Sequence, residues 1–422
     1  MHNSKLWPVA FLALIGVPVF ISVDFALARR RGWFVQSRLD ALILLAAMSC
    51  CLAITVATVF RPVRQWLSFN CFRLLFSVVF AAGIWLGAEA VVGIRFRPPS
   101  DFHLQRPNLQ FVFRPVPEVM NGIEGESRFT INSRGVRGPE FPVDRSAFRI
   151  LCVGGSATAC TYQDDLETWP RLLMIRLNAE AGPQPVWVGD VGQSGFTTRE
   201  HLRFVRESPL MLEMDCIVAL VGVNDLHAFL QGDVGADWPM GPHWSRSPVL
   251  GQVRRVAHQV PTVMIEDEAG SAYEARRVRR RHATVSTIRP DPSTFLSEYR
   301  SRIERIIAHC SERGVRLVLV TQPVLWASDM PKELESRLWM GWQPDGTFLA
   351  ASTLRGLMDQ VNATLRQVGA ALAVPVVDLS DLSGDPELFY DDCHFTEAGS
   401  RVVAERISTW FSGQGNPPQV PK

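Results

Sequence analysis

Four short stretches of the chain carry side chains that could do chemistry. Gly154-Gly155-Ser156 closes the apolar run Phe148 to Val153 and presents a serine hydroxyl. That is the carboxyl end of a buried strand, where open α/β sheets place their ligands. The two glycines are expected to turn the backbone sharply and leave the hydroxyl uncovered. In Asp391-Asp392-Cys393-His394, Asp391 precedes His394 by three residues. In a tight turn this spacing lets the carboxylate reach Nδ1, which fixes the tautomer and leaves Nε2 free to deprotonate a serine. Gly222-Val223-Asn224-Asp225 offers a side-chain N–H for a developing oxyanion, and the glycines of Asp190-Val191-Gly192-Gln193-Ser194-Gly195 could bring a backbone N–H to the same point. Each stretch alone is an ordinary loop signal. Together they contain a nucleophile, a base, an orienting acid and oxyanion donors, which are the parts acyl transfer needs.

Positioning these residues requires a sheet. Strands are suggested at 148–153, 186–191, 215–221, 315–321 and 374–379, with helices at about 166–180, 197–208, 293–313, 350–371 and 396–412. Thr396, followed by Glu397 and Gly399, is a candidate N-cap for the last helix. The alternation implies a five-stranded parallel sheet covered on both faces, with all four stretches on one edge. An insert at 227–292 interrupts it, carrying Trp238, His243, Trp244 and the cluster Arg276, Arg277, Arg279, Arg280, Arg281. A gap this long is expected to be a lid, a binding loop or disorder. Its arginines are expected to form a solvated face, with a patch for an anionic lipid surface or acidic substrate as the other reading. Ahead of the sheet, 96–147 is proline-rich with short β-type runs, an extended arm or small hairpin. Residues 413–422 are expected to be a disordered tail.

Residues 1–95 have a different character. Leu6 to Ala28, Ala41 to Phe60 and Leu74 to Ile94 are each about as long as a membrane-spanning helix requires, roughly 20 residues. Gly83 and Gly87 have the spacing that lets helices pack closely. Three spans are expected. A signal peptide is the rival for the first, but Asp24 and Arg29-Arg30-Arg31 argue against cleavage there. Placing the amino terminus outside sets seven basic residues on the cytoplasmic side against four for the reverse, which favours a cytoplasmic soluble part without fixing the side. An integral protein of the plasma or inner membrane follows, with the lipid bilayer as a partner. A net charge of +1 gives no reason to expect nucleic acid. The eight cysteines show no metal-ligand spacing, so no structural zinc is expected.

At these residues the sequence resembles the SGNH hydrolase superfamily, the GDSL-type esterases and lipases, as a membrane-anchored member. The resemblance covers about 145–412, and Ile131 to Gly138 is similar to a lead-in of some membrane-linked members. It implies a flavodoxin-like three-layer α/β/α sandwich over 148–412. It implies Ser156 as nucleophile, His394 as base and Asp391 as the acid, with Asp392 the neighbour that could be mistaken for it. Oxyanion donors would be the Ser156 and Gly195 N–H groups and the Asn224 side chain. Three positions depart from the family pattern: Gly155 stands in place of aspartate, Cys160 in place of glycine, and Asp190 in place of asparagine.

The expected activity is cleavage of an O-acyl ester through an acyl-enzyme, with no metal or organic cofactor required. Transfer of the acyl group to a membrane-linked glycan or lipid, deacetylation of such a molecule, and a non-catalytic binding role are the alternatives. Nucleotide binding fails, because Gly154-Gly155-Ser156 has no second glycine pair and no P-loop lysine. The pocket is expected to be shaped by the insert and by the region of Trp326 and Trp339. Acyl group, alcohol and oligomeric state are not legible.

Overall fold

The computed structural model describes residues 105–142, 146–180, 184–232 and 261–413, with scattered helical positions between 62 and 91. Contacts divide the chain into two units, Met1–Pro98 with Trp238–Arg255, and Pro99–Asp237 with Val256–Lys422. In the first, the described positions are helical, and Trp66, Phe69, Phe80, Ile84 and Val91 are exposed along them. Among the described residues no helix is long and apolar enough to cross a membrane. The spans expected at 6–28 and 41–60 lie outside the described residues, and the one at 74–94 is described only in part.

Among its described residues the second unit contains ten strands: β1 (Leu109–Pro115), β2 (Ser127–Thr130), β3 (Phe148–Gly154), β4 (Val186–Asp190), β5 (Cys216–Leu220), β6 (Thr262–Ala269), β7 (Val285–Ser286), β8 (Arg316–Val320), β9 (Phe348–Leu349) and β10 (Val376–Val377). Its helices are α1 (Ser156–Ala159), α2 (Trp169–Glu180), α3 (Thr198–Glu207), α4 (Val223–Leu230), α5 (Ser271–Arg281), α6 (Ser293–Glu312), α7 (Lys332–Glu335), α8 (Ala351–Ala371) and α9 (Glu397–Gly413). Five strands form the central sheet in the order β10-β8-β5-β3-β4, every pairing parallel. All residues of β3, β4 and β5 are buried. Because successive side chains point to opposite faces, both faces must be covered. Helix α2 packs on α9, while α6 packs on α3 and α8, giving the α/β/α layering.

Strand order reverses between β3 and β5, so the loops after those strands diverge and leave a crevice at their carboxyl ends. Apolar runs such as Ile150-Leu151-Cys152-Val153 fill the core beneath it. Burying each large apolar side chain stabilises the fold by roughly 1.5–3 kcal/mol. The fifth strand is shorter than the sequence suggests, since only Val376 and Val377 pair with β8.

A second, smaller sheet has the order β2-β1-β6. Strands β1 and β2 form the hairpin anticipated in the arm, and β6, from the insert, pairs parallel with β1. The described part of the insert is therefore a strand followed by helix α5, rather than a structureless loop. The arm also reaches the large sheet, where Arg137 and Asp190 exchange backbone hydrogen bonds of 2.9 Å in each direction.

Candidate active site

Strand β3 delivers Ser156 to the crevice as the first residue of α1. The glycines before it act through space rather than through a special backbone conformation. Gly155 has φ −84°, open to any residue. A Cβ on Gly154 would lie 2.5 Å from the Leu220 carbonyl oxygen, and one on Gly155 would lie 2.3 Å from Asn224 Nδ2. Close approach of β5 and α4 is what demands glycine here, which corrects the sharp-turn expectation. Cys160, by contrast, caps α1 at φ +43°, a left-handed conformation that glycine adopts without strain. That explains why glycine is the commoner residue in the family pattern.

His394 Nε2 lies 2.7 Å from Ser156 Oγ. On the other side of the ring, Nδ1 is 2.7 Å from Asp391 Oδ2 and 2.9 Å from Oδ1. The turn holds itself in shape: Asp391 Oδ1 also accepts from the backbone N–H groups of Cys393 and His394, at 3.1 and 3.0 Å. Thr396 closes it by accepting from the Gly399 N–H at 3.0 Å, as an N-cap does. Tyr390 stacks on the imidazole with ring centroids 5.5 Å apart, and Tyr273 meets it edge-on at 5.6 Å.

Asp391 is wholly buried. Burial alone would raise its carboxyl, but the facing His394 and the donors around it outweigh that and hold it below its ordinary value. One of those donors is Trp339 Nε1, 2.9 Å from Asp391 Oδ2. Asp392 turns the other way. Its carboxylate accepts from Trp326 Nε1 at 2.7 Å and from the Trp339 and Met340 N–H groups at 2.7 and 3.2 Å. Burial, with Asp391 beside it, pushes Asp392 up to about 6. Trp326 is thus a fully buried anchor of this turn and not a pocket wall, whereas Trp339 lines the pocket.

Asn224 sits in the first turn of α4, and its Nδ2 donates to the Phe196 carbonyl at 2.9 Å. The amide carries two N–H donors, so this bond orients the group and leaves the second free. Gly195 precedes Phe196 at φ +80°, and both Gly195 and Asn224 border the cavity that holds Ser156 and His394. Two carboxylates fix these loops. Asp225, buried, accepts from the Thr198 N–H at 3.1 Å and so joins α4 to α3. Asp190 Oδ1 accepts from Gly192 N–H at 2.6 Å, serving the turn where asparagine was the expected residue. Burial raises Asp225 to about 6 and Asp190 to about 7.

Several residues that matter here were not marked by the sequence. Arg137, 4% exposed, donates to the carbonyls of Ala159, Cys160 and Gln163 and pairs with Asp165 at 3.0 Å. It ties the arm to the turn that follows Ser156. A lone arginine in a turn-rich stretch gives no such signal. The arginine cluster on α5 is not simply a solvated face, because Arg277 and Arg280 are buried. Arg277 donates to the carbonyls of Arg337 and Tyr390, and Arg280 to those of Met340 and Leu349.

The resulting cavity has a volume of about 670 Å³ and is lined by Ser156, Gly195, Asn224 and His394 together with Tyr273 and Trp339. Among the described residues, Asp391, Cys393 and His394 form one group with potential metal-ligand atoms within 4.8 Å of one another. Both nitrogens of His394 are already engaged, and burial raises the Cys393 thiol well above its ordinary value, which disfavours the thiolate a metal would need. What the group can do is move a proton from a hydroxyl to an imidazole beside a buried carboxylate.

The family model described as GDSL-like Lipase/Acylhydrolase matches residues 152–402, more than half of the chain. Among solved structures, a lipase/acylhydrolase from Enterococcus faecalis is 17% identical, with 65% of this chain and 100% of that one covered at a TM-score of 0.38. An α/β hydrolase from the metagenome of Lake Arreo is 14% identical over 65% and 98%, at 0.39. A catalytic mutant of an acetylxylan esterase from Geobacillus stearothermophilus is 13% identical over 64% and 95%, at 0.37. No curated protein matches the chain. By the match over its sheet and the turns on that sheet's edge, the chain belongs to the GDSL-like lipase/acylhydrolase family of ester-hydrolysing enzymes.

Proposed function

We propose that the protein is a serine esterase that cleaves an O-acyl ester through a Ser156-His394-Asp391 triad. The observation that carries this reading is the unbroken line from Ser156 Oγ to His394 Nε2 at 2.7 Å and from His394 Nδ1 to Asp391 at 2.7 Å. His394 takes the hydroxyl proton as Ser156 attacks the acyl carbonyl, and Asp391 stabilises the imidazolium. The oxyanion is received by the Ser156 and Gly195 N–H groups and by the free N–H of Asn224. His394 then protonates the leaving alcohol, and water releases the acyl group from Ser156 by the same proton path. Labelling with a fluorophosphonate and hydrolysis of an ester library test the proposal. Native protein should react in both assays, and Ser156→Ala in neither. Equal activity in the two would refute it.

We also propose that the apolar segments 6–28, 41–60 and 74–94 anchor the enzyme in a membrane, on the support of their length and composition. Resistance to alkaline carbonate extraction would support it, and release into the soluble fraction would overturn it. Anchoring brings a membrane-linked glycan or lipid within reach as substrate or acyl acceptor. Partition of a labelled acyl group between water and such an acceptor distinguishes hydrolysis from transfer.

A further inference from the structure

Helix α5 carries five arginines, and three of them are committed. Arg277 and Arg280 donate to backbone carbonyls, and Arg281 pairs with Glu274. The remaining two, Arg276 and Arg279, stand three residues apart, which places them on one face of the helix. Both border the cavity that contains Ser156. Among the described residues neither is paired with a carboxylate. Each is held in place by stacking instead. The Arg276 guanidinium lies 4.8 Å from the centroid of the Trp339 ring and 5.2 Å from that of Tyr273, and Arg279 lies 5.3 Å from that of Trp342.

Stacking fixes the plane of a guanidinium while leaving its edge N–H donors free, the arrangement suited to bidentate recognition of a carboxylate or phosphate. The Trp342 Nε1 and the Nδ1 of His227, both at the same cavity, are buried without a partner among the described residues. His227 has its Nε2 2.9 Å from Gln231 Nε2. Burial first, and the charge of Arg276 second, depress its basicity to about 4, so it stands neutral at physiological pH. Among the described residues the cavity lining thus combines two unpaired cations with an unpartnered donor, and none of those residues is an acid.

We infer that Arg276 and Arg279 form an anion-recognising subsite, and that the preferred substrate is an ester bearing a carboxylate, sulfate or phosphate group. The inference rests on the serine-esterase reading of Ser156 and adds the substrate class to it. Arg276 stands two ring contacts from the reacting centre, through Tyr273 to His394. A short ester with a charged group a few bonds from its carbonyl can therefore reach these arginines while its carbonyl lies at Ser156.

Full-length protein in detergent should be assayed with two matched pairs of esters. In one pair the acyl group is neutral or carries a carboxylate, as butyrate against hemisuccinate. In the other the alcohol does so, as acetylated glucose against acetylated glucuronate. Rates are normalised to the fraction of Ser156 that a neutral fluorophosphonate labels, so a variant that fails to assemble the site is recognised as such. The charged member of at least one pair should be favoured by about tenfold or more in kcat/KM, a preference that shrinks as salt is added. The double variant Arg276→Gln/Arg279→Gln should lose it, and Arg276→Lys/Arg279→Lys should keep part of it. The inference is overturned if neutral esters are turned over as well in both pairs, or if the preference survives the glutamine pair. Absence of both labelling and turnover would instead bring down the esterase reading beneath it.

Discussion

Replacing Asp190 by asparagine should change stability in a way that depends on pH. Asp190 is 4% exposed, its Oδ2 has no partner among the described residues, and the cation nearest in effect, Arg137, is already committed to several acceptors. Burial raises its carboxyl from an ordinary 3.8 to about 7. An acid raised in this way holds a proton when folded that the unfolded chain gives up. Its cost to the fold is therefore absent below pH 3.8, grows as pH rises, and is complete above pH 7. At about 1.4 kcal/mol for each pH unit the cost at pH 8 is about 4 kcal/mol, of which about 1 kcal/mol is already present at pH 4.5. Asparagine does not titrate. It keeps the acceptor for the Gly192 N–H but places an unpaired N–H where Oδ2 was, at about 1–3 kcal/mol whatever the pH. Asp190→Asn should thus gain about 3 kcal/mol on the native protein between pH 4.5 and pH 8. Urea unfolding followed by tryptophan fluorescence at the two pH values measures this. A difference between the two proteins that is the same at both would refute the reasoning.

Three further outcomes follow from the site. Asn224→Ala should lower kcat by about 10²–10³, the usual loss for one oxyanion donor, in steady-state ester hydrolysis. Trp339→Phe removes the 2.9 Å donor to Asp391 and lets that carboxyl rise toward its ordinary value. The acid limb of the pH–rate profile should then move to higher pH, and an unmoved limb would count against a positioning role for Trp339. Arg137→Met strips the carbonyls of Ala159, Cys160 and Gln163 of a buried donor and takes the cation from Asp165, which keeps only the Thr130 N–H. It should cost about 3–5 kcal/mol, visible as a lower midpoint of thermal unfolding.

The five central strands and the helices between them were legible because each is a short apolar run bounded by turn residues, the pattern a doubly covered parallel strand imposes. The turns were legible for a related reason. A glycine forced by close approach leaves its mark in the sequence, as does a carboxylate three residues ahead of a histidine. The strand and helix of the insert were not. Strand β6 contains Glu266, Asp267 and Glu268, and most of its residues are exposed, so no apolar alternation announces it. It exists because β1, about 150 residues earlier, supplies the partner edge. Helix α5 hides for another reason: the buried residues on it are Arg277 and Arg280, so its inward face looks like a charge run. Trp339 offered an aromatic ring to any reader, but its bond to Asp391 depends on a loop path that local pattern does not encode.

The parallel pairing of β1 with β6 has a practical consequence for where the chain can be cut. A fragment begun at Phe148, where the apolar sheet pattern starts, would leave β6 without its neighbour and Asp190 without the backbone of Arg137. It would also remove the guanidinium that braces the turn after Ser156. Truncation at that point should yield a sheet with a loosened rim, and weak activity from it would say little about the enzyme. Beginning near Gln105 retains the hairpin and the bracing arginine together, and is the shorter piece worth expressing.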